Sequence, residues 1–211
     1  PAPLAIEEYS HFGMVCRYVA GASNLPFFPI RSYFESDIPS VNDRIRPMTS
    51  PYDGTEVYVV PPLRPDVGIV HVQRADASGN GQVWGLLGCQ KEVAFASERV
   101  IVVCEELVDE SVVRADPNRT LIPGVVVDAV VEEPFACHPS YAQGYYDRDN
   151  RFYRDWDAIA QDAASLDAWL REWVHDLGSH RDYVEKFGAA ARDALRPAPA
   201  PSGEVDYGAY A

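Results

Sequence analysis

The chain has 211 residues, 47% of them hydrophobic, and a formal net charge of −14. That is enough for one large domain, or one domain with an appendage, with a real core, and the acidic balance argues against nucleic acid as a partner, because phosphate binding needs a basic surface. No stretch approaches the roughly 18–20 continuous apolar residues of a membrane helix, so no membrane partner is expected.

No cationic leader followed by an apolar run opens the sequence, so no export signal is expected and the cytoplasm is the expected setting. Position 1 is Pro rather than Met, which reads as a fragment or a processed chain. The four cysteines, Cys16, Cys89, Cys104 and Cys137, are widely spaced. Three sit in apolar surroundings, and the reading is free thiols in a reducing compartment. No CxxC or Cys/His pair stands at ligand spacing, so neither zinc nor another metal is expected.

In chain order, Glu8 to Ala22 reads as a helix, with Ser10 as N-cap and Met14, Tyr18 and Ala22 four apart on one face. Leu25 to Ile30 contains two prolines and is expected to be extended; Arg31 to Pro39 reads as an irregular loop. Arg44 to Thr49 and Glu56 to Val60 read as short strands around the turn at Ser50 to Gly54. Val67 to Val72 is apolar apart from Gly68 and His71, as a strand covered on both faces should be.

Asp76, Ser78, Gly79, Asn80 and Gly81 then crowd small, turn-prone side chains into one loop before a second short strand. Open α/β sheets bind ligands in such loops at strand carboxyl ends; the alternative is an ordinary turn between two strands. Gln90 to Ser97 reads as a helix, and Arg99 to Cys104 and Val125 to Val131 as further buried strands. This alternation predicts an α/β sheet with connections over its faces.

The character changes after Pro134. Phe152, Trp156 and Ile159 repeat at helical spacing within Asp147 to Asp162. Leu166 to Val174 reads as a second amphipathic helix, with Ser165 as its cap, and His180 to Leu195 as a third, beginning near Asp182. The aromatic stripes read as packing rather than cofactor contacts. The expected division is a core over 1–134, a helical C-terminal extension over 135–196 and a disordered tail over 197–211, rich in Pro, Ala and Gly.

Six separated segments resemble the α subunit of family I coenzyme A transferases, most nearly the glutaconate CoA-transferase type. They are EEYSHFGM (Glu7 to Met14), LPFFPIRS (Leu25 to Ser32), PPLRPDVGIVHVQRADASGNGQVW (Pro61 to Trp84), RVIVVCEELVD (Arg99 to Asp109), RTLIPGVVVDAVV (Arg119 to Val131) and HPSYAQGYYDRDNR (His138 to Arg151). The resemblance runs from Glu7 to about Gly188. It implies an open, mostly parallel α/β sheet with flanking helices and a helical C-terminal extension. The family's further N-terminal portion, with its first strands and glycine-rich loop, has no counterpart in this sequence.

The resemblance also implies a reaction. An enzyme carboxylate attacks an acyl-CoA thioester, forming an acyl–glutamyl anhydride and CoA thiolate. The thiolate returns to give a glutamyl-CoA thioester, and a second acid completes the exchange. Donors must stabilise each oxyanion, and water must be kept out. In the family the glutamate belongs to a β subunit, and this sequence holds no convincing copy of its motif. The implied partners are therefore a β subunit, an acyl-CoA and a carboxylic acid, dicarboxylic or 3-oxo. Coenzyme A enters as a substrate moiety, and no tightly bound cofactor is expected.

The candidate contribution of this chain is half of a cleft. Ser78, Gly79 and Asn80 are candidates to present amides to the acyl or CoA portion. Gln73 and Arg74 lie at the strand end, and a guanidinium fork matches a substrate carboxylate. Arg31 and Ser32 offer a second such pair. The Glu8–His11 cluster, with Ser10, enters a helix, where anions are favoured; plain capping is the competing reading. His138 is a candidate for orienting its loop. Glu105–Glu106 reads as an ion pair or a solvated acidic edge. The alternative function is a CoA-ester hydrolase or ring-opening enzyme on the same scaffold, as in steroid ring degradation, with an acid such as Glu8 as base.

Overall fold

A computed structural model describes residues 4–197. The tail expected over 197–211 therefore lies, from residue 198 onward, outside the described residues.

Ser10 caps the first helix, α1 (His11–Ala22), by accepting the Gly13 N–H at 3.0 Å. Prolines follow, and the chain runs into the short strand β1 (Phe28–Ile30), a four-residue helix α2 (Ile38–Val41), β2 (Arg46–Thr49) and β3 (Glu56–Val60). These strands form a small antiparallel sheet in the order β1-β3-β2. Cys16, Ile30, Tyr33, Ile45 and Val60 close its core.

The larger sheet has the order β7-β5-β4-β6-β8. Its long strands are β4 (Val67–Asp76) and β6 (Arg99–Val108), which run parallel, with β8 (Ala129–Glu132) parallel beyond β6. The short β5 (Gly81–Gln82) and β7 (Thr120–Ile122) add an antiparallel edge. Helices α3 (Gln90–Ala96) and α4 (Glu110–Ala115) connect these strands. Val70, Val72, Val100, Val102, Cys104 and Ile122 are the packed centre. The α/β sheet with flanking helices expected from the sequence is present. β4 runs four residues past Val72, because the polar side chains of Gln73, Arg74 and Asp76 all find partners there.

Beyond β8 a turn-rich segment leads to α5 (Asn150–Ile159), α6 (Ala163–Leu170), α7 (His180–Phe187) and α8 (Ala189–Asp193). After α6 the coil widens: the Asp176 N–H donates to the Arg171 carbonyl five residues back. Asp162, not Ser165, caps α6; its carboxylate accepts the Ser165 N–H at 2.8 Å. The single helix expected over His180 to Leu195 is broken at Gly188, whose φ of 90° belongs to the left-handed side that glycine tolerates. All four cysteines are free, and among the described residues no helix is long and apolar enough to cross a membrane.

Candidate functional site

Gln73 and Arg74 stand near the carboxyl end of β4, where the strand passes the Trp84 region. The Gln73 amide donates to the Trp84 carbonyl at 2.8 Å, and Arg74 Nη2 donates to Gln82 Oε1 at 2.9 Å. Arg74 lies 5.1 Å from the Trp84 ring centroid, and Arg119 lies 4.9 Å from it. Two guanidinium groups thus lie against one indole, a favourable cation–π arrangement. Arg74 Nε is buried without a hydrogen-bond partner.

On the Gln73 face of the sheet stand His71 and Glu105. Glu105 is 5% exposed, yet polar partners surround it. His71 Nε2 lies 2.8 Å from its Oε1, the Tyr146 hydroxyl donates to the same oxygen at 2.6 Å, and the Phe135 N–H donates to Oε2 at 2.6 Å. Burial opposes a charge on His71, but the Cys137 thiol and the Glu105 carboxylate outweigh it and raise the imidazole to about 9. Burial and the same carboxylate push the Tyr146 hydroxyl far up, so it stays a donor. Burial and Glu106 likewise raise Tyr145, whose hydroxyl donates to Glu106 at 2.7 Å. The expected ion pair at Glu105 is therefore a buried pair, while Glu106 is the exposed one. His71, Gln73, Trp84 and Cys137 line one cavity of about 430 Å³.

The loop after β4 spends its polar groups on itself. Asp76 Oδ1 accepts the Ser78 and Asn80 N–H groups, each at 2.9 Å, and Asp76 Oδ2 accepts from Asn80 Nδ2 at 2.8 Å. The Gly79 N–H donates to the Asp76 carbonyl, and Asn80 Oδ1 accepts the Gly124 N–H at 2.9 Å. Gly79 has φ of 89°, and a Cβ there would stand 2.7 Å from that of Val127. Loop and 124–127 segment are thereby locked together, and the three backbone amides are aimed inward.

The other sequence candidates lie in separate surroundings. Ser10 Oγ and N–H both contact the buried Tyr33 hydroxyl, at 3.1 and 3.2 Å. Arg31 and Ser32 are exposed just after β1, and Glu8 is exposed, with its carbonyl accepting from Asn42 Nδ2. His138 is buried among the aromatic rings of the helical part. Its Nδ1 meets the Tyr183 hydroxyl, its Nε2 meets Asp149 at 3.2 Å, and its ring stacks on Phe135. Burial lowers its pKa despite Asp149. The cluster sequence reasoning missed is His71, Glu105 and Cys137: these residues stand more than thirty positions apart, and only the strand register and the turn after β8 join them.

Comparison with known proteins follows the same outline. The profile of the Coenzyme A transferase family matches residues 3–133. The chain belongs to this family. This CoA-transferase-family chain is 44% identical, over 88% of its length and 65% of the relative's, to the A-type subunit of 3-oxoadipate CoA-transferase from Pseudomonas knackmussii. It is 32% identical to the A-type subunit of glutaconate CoA-transferase from Acidaminococcus fermentans, over 96% of this chain and 68% of that one. The crystal structure of the Acidaminococcus enzyme superposes with a TM-score of 0.86, covering 95% of this chain and 68% of that chain. The IpdA component of the cholesterol ring-cleaving hydrolase from Mycobacterium tuberculosis is 33% identical over 83% of this chain and 63% of its own length. The chain thus spans about two thirds of the length of each of these three relatives.

Proposed function

We propose that this chain is the α subunit of a heteromeric CoA-transferase. It moves CoA between an acyl-CoA and a carboxylic acid, dicarboxylic or 3-oxo, with the attacking glutamate supplied by a β subunit. The observation that carries this reading is the 44% identity to a protein named as one half of 3-oxoadipate CoA-transferase. Arg74 is the candidate carboxylate binder on its chemistry, since a guanidinium fork matches a carboxylate, with its Nη2 held by Gln82. Gln73, Ser78, Gly79, Asn80, Arg31, Ser32, Ser10 and His138 remain the candidates for the substrate or CoA wall. The first four border or stiffen the Trp84 cleft; the rest lie in other clusters. The free thiols suit a reducing cytoplasm.

A hydrolase or ring-opening reading is supported more weakly, by the 33% identity to the ring-cleaving hydrolase component. The two part on the β chain, because only transfer needs its nucleophilic glutamate. The test is coexpression of the full-length α chain with its β chain, followed by an exchange assay between acyl-CoA esters and free acids. Exchange that disappears when the β glutamate is replaced is the expected result. Release of free CoA to water, with no exchange in a folded complex, would overturn the transferase reading.

A further inference from the structure

His71, Glu105 and Cys137 each bring a ligand-type atom to within 4.8 Å of the other two. They arrive from three different elements: β4, β6 and the turn segment after β8. We propose that these three side chains form a binding site for a borderline-soft divalent cation of the zinc class. This assignment does not rest on the acyl-transfer reading, although the site opens on the cavity that also holds Gln73 and Trp84.

Five features of the cluster support the assignment. The donor set is thiolate, imidazole and carboxylate, which selects zinc-like ions over magnesium or calcium. Zinc bonds of about 2.0–2.3 Å place tetrahedral ligand atoms roughly 3.3–3.8 Å apart. To admit the ion, the present 2.8 Å between His71 Nε2 and Glu105 Oε1 therefore needs to open by about 0.5 Å, and the other ligand-atom separations, all within 4.8 Å, need to close by at most about 1.5 Å.

The site is also sheltered from water: the Glu105 side chain is 2% exposed and that of His71 is 23% exposed. An entering metal would displace the proton held between His71 and Glu105.

The carboxylate is also held in place from outside. Tyr146 donates to Glu105 Oε1 and its oxygen accepts the Cys137 N–H at 2.8 Å, while the Phe135 N–H fixes Oε2. Tyr146 thus ties two ligand-bearing segments together, as outer-sphere partners do in metal sites. Finally, three protein ligands leave a fourth position. His71 and Cys137 line the cavity of about 430 Å³ that also holds Gln73 and Trp84, so a water or a carboxylate has room there.

The experiment is a cobalt titration of the full chain, freed of metal by chelation and kept reduced. One equivalent of Co2+ should produce tetrahedral visible absorption and a sulfur-to-cobalt charge-transfer band in the near ultraviolet, and Zn2+ should abolish both. Cys137→Ser should lose the charge-transfer band, and Cys89→Ser, altered in the same cavity, should keep it. No charge-transfer band in the folded wild-type chain overturns the proposal, as does a band that survives Cys137→Ser. Should that variant misfold, alkylation of the wild-type chain decides: Zn2+ should protect Cys137 from labelling, read by peptide mass, and equal labelling with and without Zn2+ overturns the site.

Discussion

The two halves of the molecule are held together by different means. In the β4–β6 region, polar side chains are buried and each is engaged: Glu105, Gln73, Asp76 and Gln82 all sit at or below 6% exposure with defined partners. In α5–α8 no residue is fully buried. These helices rely on aromatic contacts, such as Trp156 against Trp169 at 5.6 Å, on N-caps and on exposed ion pairs. Exposed pairs contribute little, whereas a buried polar network is costly to break and fixes one geometry. The contrast teaches that the cleft takes its rigidity from the sheet, and that the helical half is the part free to open locally.

Breaking the sheet side should have the largest effect. Glu105→Ala strands the Phe135 N–H, the Tyr146 hydroxyl and His71 at once, and should cost about 3–5 kcal/mol in denaturant unfolding. Asn80→Ala leaves the Gly124 N–H and Asp76 Oδ2 unmatched and should cost about 1–3 kcal/mol by the same measurement. On the helical side Ser179→Ala removes the cap that accepts the Asp182 N–H. Its cost of about 0.5–2 kcal/mol should appear in hydrogen exchange as faster amides in α7, with β4 and β6 unchanged. Equal acceleration in both regions would erase the distinction between them.

The smallest effect is an acid one. The backbone N–H and hydroxyl of Ser165 hold the Asp162 carboxyl below its usual range. A carboxyl lowered on folding contributes stability above its unfolded pKa, and that contribution is lost as pH falls through the folded value. The first turn of α6 should therefore fray in acid before the sheet does, as followed by amide exchange, and Asp162→Asn should abolish that pH dependence.

Much of the framework is legible in the sequence because period and turn chemistry are local. Glu56 to Val60 is a strand as read, and Ser10 is the cap as read. The extension of β4 to Asp76 is not legible, because its polar residues look like a strand's end until their partners are known. At α6 both Ser165 and Asp162 are capping types, and only the backbone geometry selects Asp162. At the site, the turn composition of Asp76 to Gly81 is plain, but not that Asp76 collects its amides. His71, Glu105 and Cys137 carry no local signal at all; parallel strand register and a distant turn bring them together.

Trp84, in contact with both Arg74 and Arg119, has one further consequence. The other three of the four tryptophans, Trp156, Trp169 and Trp173, all belong to the helical half. Intrinsic emission therefore separates by address: replacing those three with Phe leaves a single indole reporting on the guanidinium pair that flanks it. Quenching or a colour shift of that lone fluorophore on adding a dicarboxylate would register anion arrival optically, with no label and no turnover required.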